Sequence, residues 1–345
     1  MTVTRLARSV LSASAVALAA PAMAAEPLAS YPETGGTFLP FYDAPPPGEP
    51  LRAPPTLDIS FGGRNYRAVV DTGSTGIVVA ASMIPGFDSL PNQGEGKLVY
   101  TSSGRVMHGS WVTTPVRVSG ADGSAVKTAA MTVLAVTQVT CLENARDCMP
   151  LDAPEHIAML GIGFGREHDD QPQSTPDKNP LLQVAGRGRA GYVVSREGLW
   201  VSLSRQDVGR SFTFAKLERG SSDWQAMPVC ISLKDVKPSA CGTLLMDTGV
   251  GRSFLTVPDG QISADVLDDR RLPDGTNVTV SEPSGKPILS YTVGDRTNPV
   301  TPSEVIVRLA PEKTFINTSF HFLNAFDYLY DAEGGYVGYR GVDAR

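Results

Sequence analysis

Two short segments hold the residues best suited to chemistry. Val69-Val70-Asp71-Thr72-Gly73-Ser74 and Leu245-Met246-Asp247-Thr248-Gly249-Val250 each run an apolar stretch into Asp-Thr-Gly. Each is followed by a further apolar run, Ile77-Val78-Val79 and Ser253-Phe254-Leu255. An aspartate at the end of a strand presents its carboxylate on a tight turn. Glycine at that turn accepts backbone conformations that a side chain resists, and lets another chain approach closely. The threonine hydroxyl is a short donor and acceptor that can bond across to an opposing loop. If the two turns face each other, Asp71 and Asp247 become neighbours. Two close carboxylates cannot both ionise cheaply, so the pair shares one proton. One carboxylate then acts as general base on a water, and the other donates a proton to the attacked carbonyl. This arrangement adds water to an amide with no covalent intermediate.

The two aspartates stand 176 residues apart in a chain of 345. Two halves of single-domain size, each delivering one Asp-Thr-Gly, imply a duplicated lobe. The surrounding sequence fits. From Thr56 onward it consists of short runs rich in Val, Ile, Thr and aromatics, cut by Gly, Pro, Asn and Asp, as strands and turns are. These include Thr56–Phe61, Tyr66–Val70, Gly76–Ala80, Ser110–Val118 and Met131–Val136 in the first half. The second half has Tyr192–Val194, Leu199–Leu203, Gly242–Met246, Val278–Val280, Glu304–Leu309 and Tyr336–Tyr339. Helical signals are confined to Asn179–Val184 and Ser319–Phe326. The expected architecture is mostly β, with residues 56–188 as an N-terminal lobe and 189–345 as a C-terminal lobe. Residues 25–55, with Pro45-Pro46-Pro47 and Pro54-Pro55, read as a linker or loosely held extension.

Residues 1–24 read as a secretory signal, with Arg5 and Arg8, an apolar run from Val10 to Ala20, and Ala22-Met23-Ala24 before the cleavage point. Export implies an oxidising compartment, so the four cysteines are disulfide candidates. Of three possible connectivities, Cys141 with Cys148 and Cys230 with Cys241 closes the shortest loops. A zinc site using His156 or His168 lacks the usual ligand spacing. Thirty basic against 36 acidic residues argues against nucleic acid as a partner. No apolar run after the signal is long enough to span a bilayer. Gly186–Gly191 matches G-x-G-x-x-G but runs into the strand-like Tyr192-Val193-Val194. A dinucleotide site needs a helix there, so the run reads as an inter-lobe connection. His321 and Asp169-Asp170 read as surface or loop residues. No cofactor or metal is expected, and a monomer acting on a peptide or protein substrate is.

The chain resembles the bilobal, pepsin-type aspartic proteases over residues 56–345, most strongly in the Asp-Thr-Gly pair. The resemblance implies a two-lobed, mostly-β fold with an active-site cleft between the lobes. Asp71 and Asp247 would form the catalytic dyad. Thr72 and Thr248 would lock the loops together, with Gly73 and Gly249 completing the turns, and Ser74 would bond the outer oxygen of Asp71. Met159-Leu160-Gly161 would lie behind the first catalytic loop, and Cys230–Cys241 would be a small disulfide loop before the second. Phe322–Tyr328, Tyr330-Asp331 and Gly335–Tyr339 resemble the family's closing helix and final strands. Tyr100 is the candidate flap tyrosine that closes over the dyad. With no Lys or Arg in residues 25–50, a basic inhibitory prosegment is not expected.

Three departures stand out. Val250 occupies the place of a hydroxyl residue beside the second aspartate, so Asp247 is expected to lack that hydroxyl donor and the pH optimum to be less acidic. Val78 replaces the tryptophan that usually bonds the flap tyrosine. Phe315-Ile316-Asn317-Thr318 lacks the glycine of the second apolar-apolar-Gly segment. The rival to an exported endopeptidase is a catalytically silent binding or inhibitor module on the same fold. A glycoside hydrolase is disfavoured, because its carboxylates need wider spacing.

Overall fold

Among the described residues, short apolar runs punctuated by turn residues fold into three sheets. The computed structural model describes residues 27–143, 145, 148–166, 171, 173–186, 188–209, 211–234 and 236–344. The signal segment 1–24, His168, Asp169-Asp170 and Arg187 lie outside the described residues.

The two halves repeat one another strand for strand. In the first, the order is Met131–Cys141, Thr75–Ala80, Ala158–Ile162, Tyr66–Asp71, Thr56–Ser60, with successive pairings parallel, antiparallel, parallel and antiparallel. In the second, Val305–Leu309, Ser253–Val257, Phe315–Asn317, Ala240–Leu245 and Met227–Leu233 follow in the same order with the same senses. The first sheet adds the hairpin Asn92–Tyr100/Arg105–Thr114 against Met131–Cys141. Thr75–Ala80 is buried at every position, which is why it reads as a continuous apolar run rather than an alternating one.

A third, six-stranded sheet carries Thr37–Pro40, Gly198–Leu203, Arg189–Val194, Phe326–Asp331, Tyr336–Gly341 and Thr213–Lys216, in that order. The Pro-rich N-terminal stretch is therefore held in the fold: Thr37–Pro40 pairs with Gly198–Val201, and Tyr31, Leu39, Phe41 and Leu51 are buried. Each such side chain contributes roughly 1.5–3 kcal/mol when fully buried. Asp331, wholly buried, accepts from Tyr31 Oη at 3.0 Å and from Arg189 Nε and Nη2 at 3.0 and 2.9 Å. This ties the N-terminal segment to two strands of the sheet.

Several sequence expectations need correction. Both helical segments close as single 3-10 turns, Pro180–Gln183 and Phe320–Asn324. The second passes into strand Phe326–Asp331, because its aromatic residues pair with Tyr336–Gly341. Ser110–Val118 is two strands, divided at Pro115, which has no N–H for the ladder. The Gly-rich run ends within strand Arg189–Val194 rather than serving wholly as a connector. Both disulfides are local, Cys141–Cys148 and Cys230–Cys241, and the second joins directly opposed residues of antiparallel strands. Among the described residues no helix is long and apolar enough to cross a membrane.

Candidate active site

The two Asp-Thr-Gly turns meet where the first and second sheets face each other. Asp71 is the last residue of strand Tyr66–Asp71, and Asp247 follows strand Ala240–Leu245 by two residues. The backbone N–H of Thr72 donates to Thr248 Oγ1 at 3.0 Å, and that of Thr248 donates to Thr72 Oγ1 at 3.0 Å. Each hydroxyl then donates to a main-chain carbonyl of the opposite turn, Thr72 to Met246 and Thr248 to Val70, both at 2.6 Å. All four bonds are buried, so each polar group has its partner inside the protein.

This lock brings the carboxyl groups together. A Cβ on Gly73 would land on the Asp247 carboxyl, and one on Gly249 would stand 2.7 Å from Asp71 Oδ1. Glycine is required at both positions because the opposing carboxyl fills the space. Asp71 accepts from Gly73 N–H at 2.7 Å and from Ser74 Oγ at 2.5 Å. Asp247 accepts from Gly249 N–H at 2.9 Å on Oδ1 and from Asn317 Nδ2 at 2.6 Å on Oδ2. The residues are 4% and 7% exposed. Burial, then the neighbouring Asp71, push the Asp247 carboxyl up to about 7, against the pull of Asn317, Arg166 and the Gly249 N–H.

A cavity of about 540 Å³ opens over the pair, walled by Tyr100, Met107, Met159, Arg166, Val250 and Phe315 among others. Tyr100 ends the first strand of the hairpin Asn92–Tyr100/Arg105–Thr114. Its hydroxyl is buried and faces Ser74 and Asp71. Burial, and then Asp71, raise its pKa. Val78 sits with Leu98, Met107 and Leu134 in an apolar cluster against which Tyr100 packs. Apolar contact thus orders the hairpin where an indole hydrogen bond would have done so. The turn of the hairpin is clasped from behind, Leu142 N–H donating to Gly104 O at 2.9 Å beside the Cys141–Cys148 bridge.

Residues 51–310 match the model of the PE-PGRS C-terminal aspartyl peptidase-like domain family. The chain belongs to that family. No curated protein matches it. The fold is accordingly a mostly-β aspartyl peptidase-like fold, and the family match reaches no further than that breadth: it does not single out the pepsin-type group. The matched span takes in both Asp-Thr-Gly turns and the hairpin bearing Tyr100. The two disulfides fit a peptidase-like domain kept in an oxidising compartment.

In this aspartyl peptidase-like domain, two expectations about Asp247 change. Val250 supplies no hydroxyl, yet Asp247 does not lack a side-chain donor, because Asn317 provides one from a neighbouring strand. Nor is Asn317 misplaced for want of glycine. Gly161 lies two residues beyond Met159, and Met159 pairs with Val69 just as Asn317 pairs with Leu245. The counterpart of Gly161 is therefore Ser319, which takes φ 60°. Asn317 and Arg166 are the site residues that motif reading passed over. A polar side chain in an otherwise apolar strand, Phe315-Ile316-Asn317, was the one available signal for the first.

Proposed function

We propose that this chain is an exported aspartic endopeptidase that hydrolyses peptide bonds with a water activated between Asp71 and Asp247. The observation that carries the reading is the reciprocal Thr72–Thr248 lock, which sets each carboxyl against the other turn's glycine. A buried pair this close holds one proton over part of the pH range. A water between the carboxyls gives a proton to the ionised member as its oxygen attacks the substrate carbonyl. The protonated member donates to the carbonyl oxygen, producing a neutral gem-diol. Proton transfer to the amide nitrogen then lets the C–N bond break and returns the dyad to its starting state. Gly73 and Gly249 N–H, Ser74 and Asn317 hold the four carboxyl oxygens in orientation. Tyr100 covers the site and helps exclude bulk water.

The substrate is a peptide or protein, and the enzyme works as a monomer without cofactor or nucleic acid. The Arg5/Arg8 signal and the paired cysteines support export. Digestion of an unfolded protein at several pH values, with and without a statine-type inhibitor, tests the reading. Inhibitor-sensitive cleavage that disappears in Asp71→Asn and Asp247→Asn is expected. No such cleavage, or full activity in Asp247→Asn, would leave the binding or inhibitor module instead.

A further inference from the structure

Asn317 belongs to neither Asp-Thr-Gly turn, and the internal duplication shows where it stands. Met159 pairs with Val69 on one side and Val78 on the other. The residues 176 positions later, Leu245 and Phe254, both pair with Asn317. Asn317 is therefore the counterpart of Met159. Where the first half puts a thioether on the cavity wall, the second half puts a carboxamide, and the amide reaches Asp247 Oδ2 at 2.6 Å.

The orientation of that amide is fixed by an independent bond. Asn317 Oδ1 accepts the backbone N–H of Ser319 at 2.9 Å, and a backbone N–H can only donate. The NH2 end must then face the carboxylate. Ser253 Oγ donates to the main-chain carbonyl of Asn317 at 2.6 Å, which holds the strand rather than the amide, and the residue is 5% exposed. The amide cannot turn over without leaving the Ser319 donor unpaired.

The two halves of the dyad consequently differ in kind. Asp71 Oδ2 faces the Ser74 hydroxyl, which can donate to a bare oxygen or accept from a protonated one. Asp247 Oδ2 faces a group that can only donate. We propose that Asn317 is the positioning residue for Asp247, orienting its carboxyl and restricting the dyad's single proton to the two Oδ1 atoms or to Asp71 Oδ2. The catalytic consequence rests on the peptidase reading; the geometry does not. The other groups bearing on Asp247 are Asp71, Arg166, Tyr100 and the Gly249 N–H. Of these contacts only the two amide donors and Arg166 favour its ionised form, so removing Asn317 moves its titration to higher pH.

The duplication also supplies a rescue. Ser74 follows Asp71 by three residues, and Val250 follows Asp247 by three. Threonine has nearly the shape of valine, so Val250→Thr places a hydroxyl where the first half keeps one. The test uses the mature chain as wild type, Asn317→Ala, and Asn317→Ala with Val250→Thr. It reads kcat and KM on a quenched fluorescent peptide across pH, and the Asp247 carboxyl titration by carbon-13 NMR.

Asn317→Ala is expected to lower kcat about tenfold or more with KM nearly unchanged. The alkaline limb and the Asp247 titration should both rise by about one pH unit, as loss of one charge-assisted bond implies. Adding Val250→Thr should bring both back toward wild type. An unmoved titration and pH profile would overturn the proposal. So would a pH-independent loss of activity without rescue, which marks a merely structural residue. If Asn317→Ala does not fold, Asn317→Asp retains the acceptor for Ser319 and replaces the donor with a third carboxyl at the site. Its Asp247 titration must then rise above wild type, and an unchanged value overturns the proposal. If the wild-type chain cleaves no peptide, the peptidase reading fails, while the NMR titration still decides the role of Asn317.

Discussion

Thr72 and Thr248 hold each other's main chains: the N–H of each lies 3.0 Å from the hydroxyl oxygen of the other. Each hydroxyl also donates to a carbonyl across the interface, so neither can be replaced by a methyl group without leaving buried groups unpaired. Thr72→Val strips the Thr248 N–H of its acceptor and the Met246 carbonyl of its donor. At about 1–3 kcal/mol for each buried orphan, the loss should be roughly 2–6 kcal/mol in denaturant unfolding. Thr248→Val should behave alike, and the double variant should cost clearly less than the sum, because the pair acts as a unit. Thr72→Ser, which keeps the hydroxyl, should stay close to wild type.

The glycines answer a different constraint. Alanine at Gly73 or Gly249 places a methyl group on or beside the opposing carboxyl. We expect Gly73→Ala and Gly249→Ala to lower kcat/KM on a peptide substrate by about a hundredfold or more, since small misplacements in a preorganised site are costly. Far-ultraviolet circular dichroism should be unchanged. Near wild-type kinetics would mean that the carboxyls can separate without consequence.

Burial beside Asp71 raises Asp247 to about 7, above the value near 4 of a carboxyl in an unfolded chain. The folded state then binds a proton more tightly than the unfolded one. The resulting stabilisation is complete below about pH 4 and is lost as pH rises through about 7. Unfolding free energy should therefore contain a component that declines between those limits. Asp247→Asn should remove that slope. In wild type, the alkaline limb of the pH–rate profile should fall near the same point. The sequence predicts a less acidic optimum from the hydroxyl that Val250 lacks. Asn317 supplies an amide donor in its place, and the upward displacement comes from burial and the neighbouring carboxylate.

Asp331 depends on Arg189 for its charge partner. Arg189→Met leaves a fully buried carboxylate with only the Tyr31 hydroxyl and the Gly334 N–H as donors among the described bonds. Removing one member of a buried pair typically costs about 3–5 kcal/mol. A loss of that size in chemical denaturation is expected, with the N-terminal strand Thr37–Pro40 gaining amide hydrogen exchange first.

The Cys141–Cys148 bridge lies against the turn of the Tyr100 hairpin, and Cys230–Cys241 lies in the other half. A closed loop this short contributes about 2.5 kcal/mol through the unfolded chain. Cys141→Ser with Cys148→Ser should raise KM several-fold by loosening the hairpin. Cys230→Ser with Cys241→Ser should lower stability comparably while leaving KM in place. Equal KM effects from the two pairs would contradict a specific hold on the hairpin.

Much of the site is written in adjacent residues. The partners of Asp71 lie within three positions of it, Gly73 N–H and Ser74 Oγ, so a six-residue motif is enough to describe them. The 176-residue echo announced the duplication, and the alternation of β-formers with turn residues announced the sheets, because both are local patterns. The only side-chain donor to Asp247 among the described bonds comes 70 residues later. It arrives through the parallel pairing of Ala240–Leu245 with Phe315–Asn317, and strand register is set by packing across the whole sheet rather than by neighbours in the chain. The anchoring of the Pro-rich segment likewise depends on Asp331, 300 residues from Tyr31. Composition marks that segment as a linker or loosely held extension, since proline-rich stretches seldom bury much apolar surface; only the assembled sheet offers its aromatic and leucine side chains a place out of water.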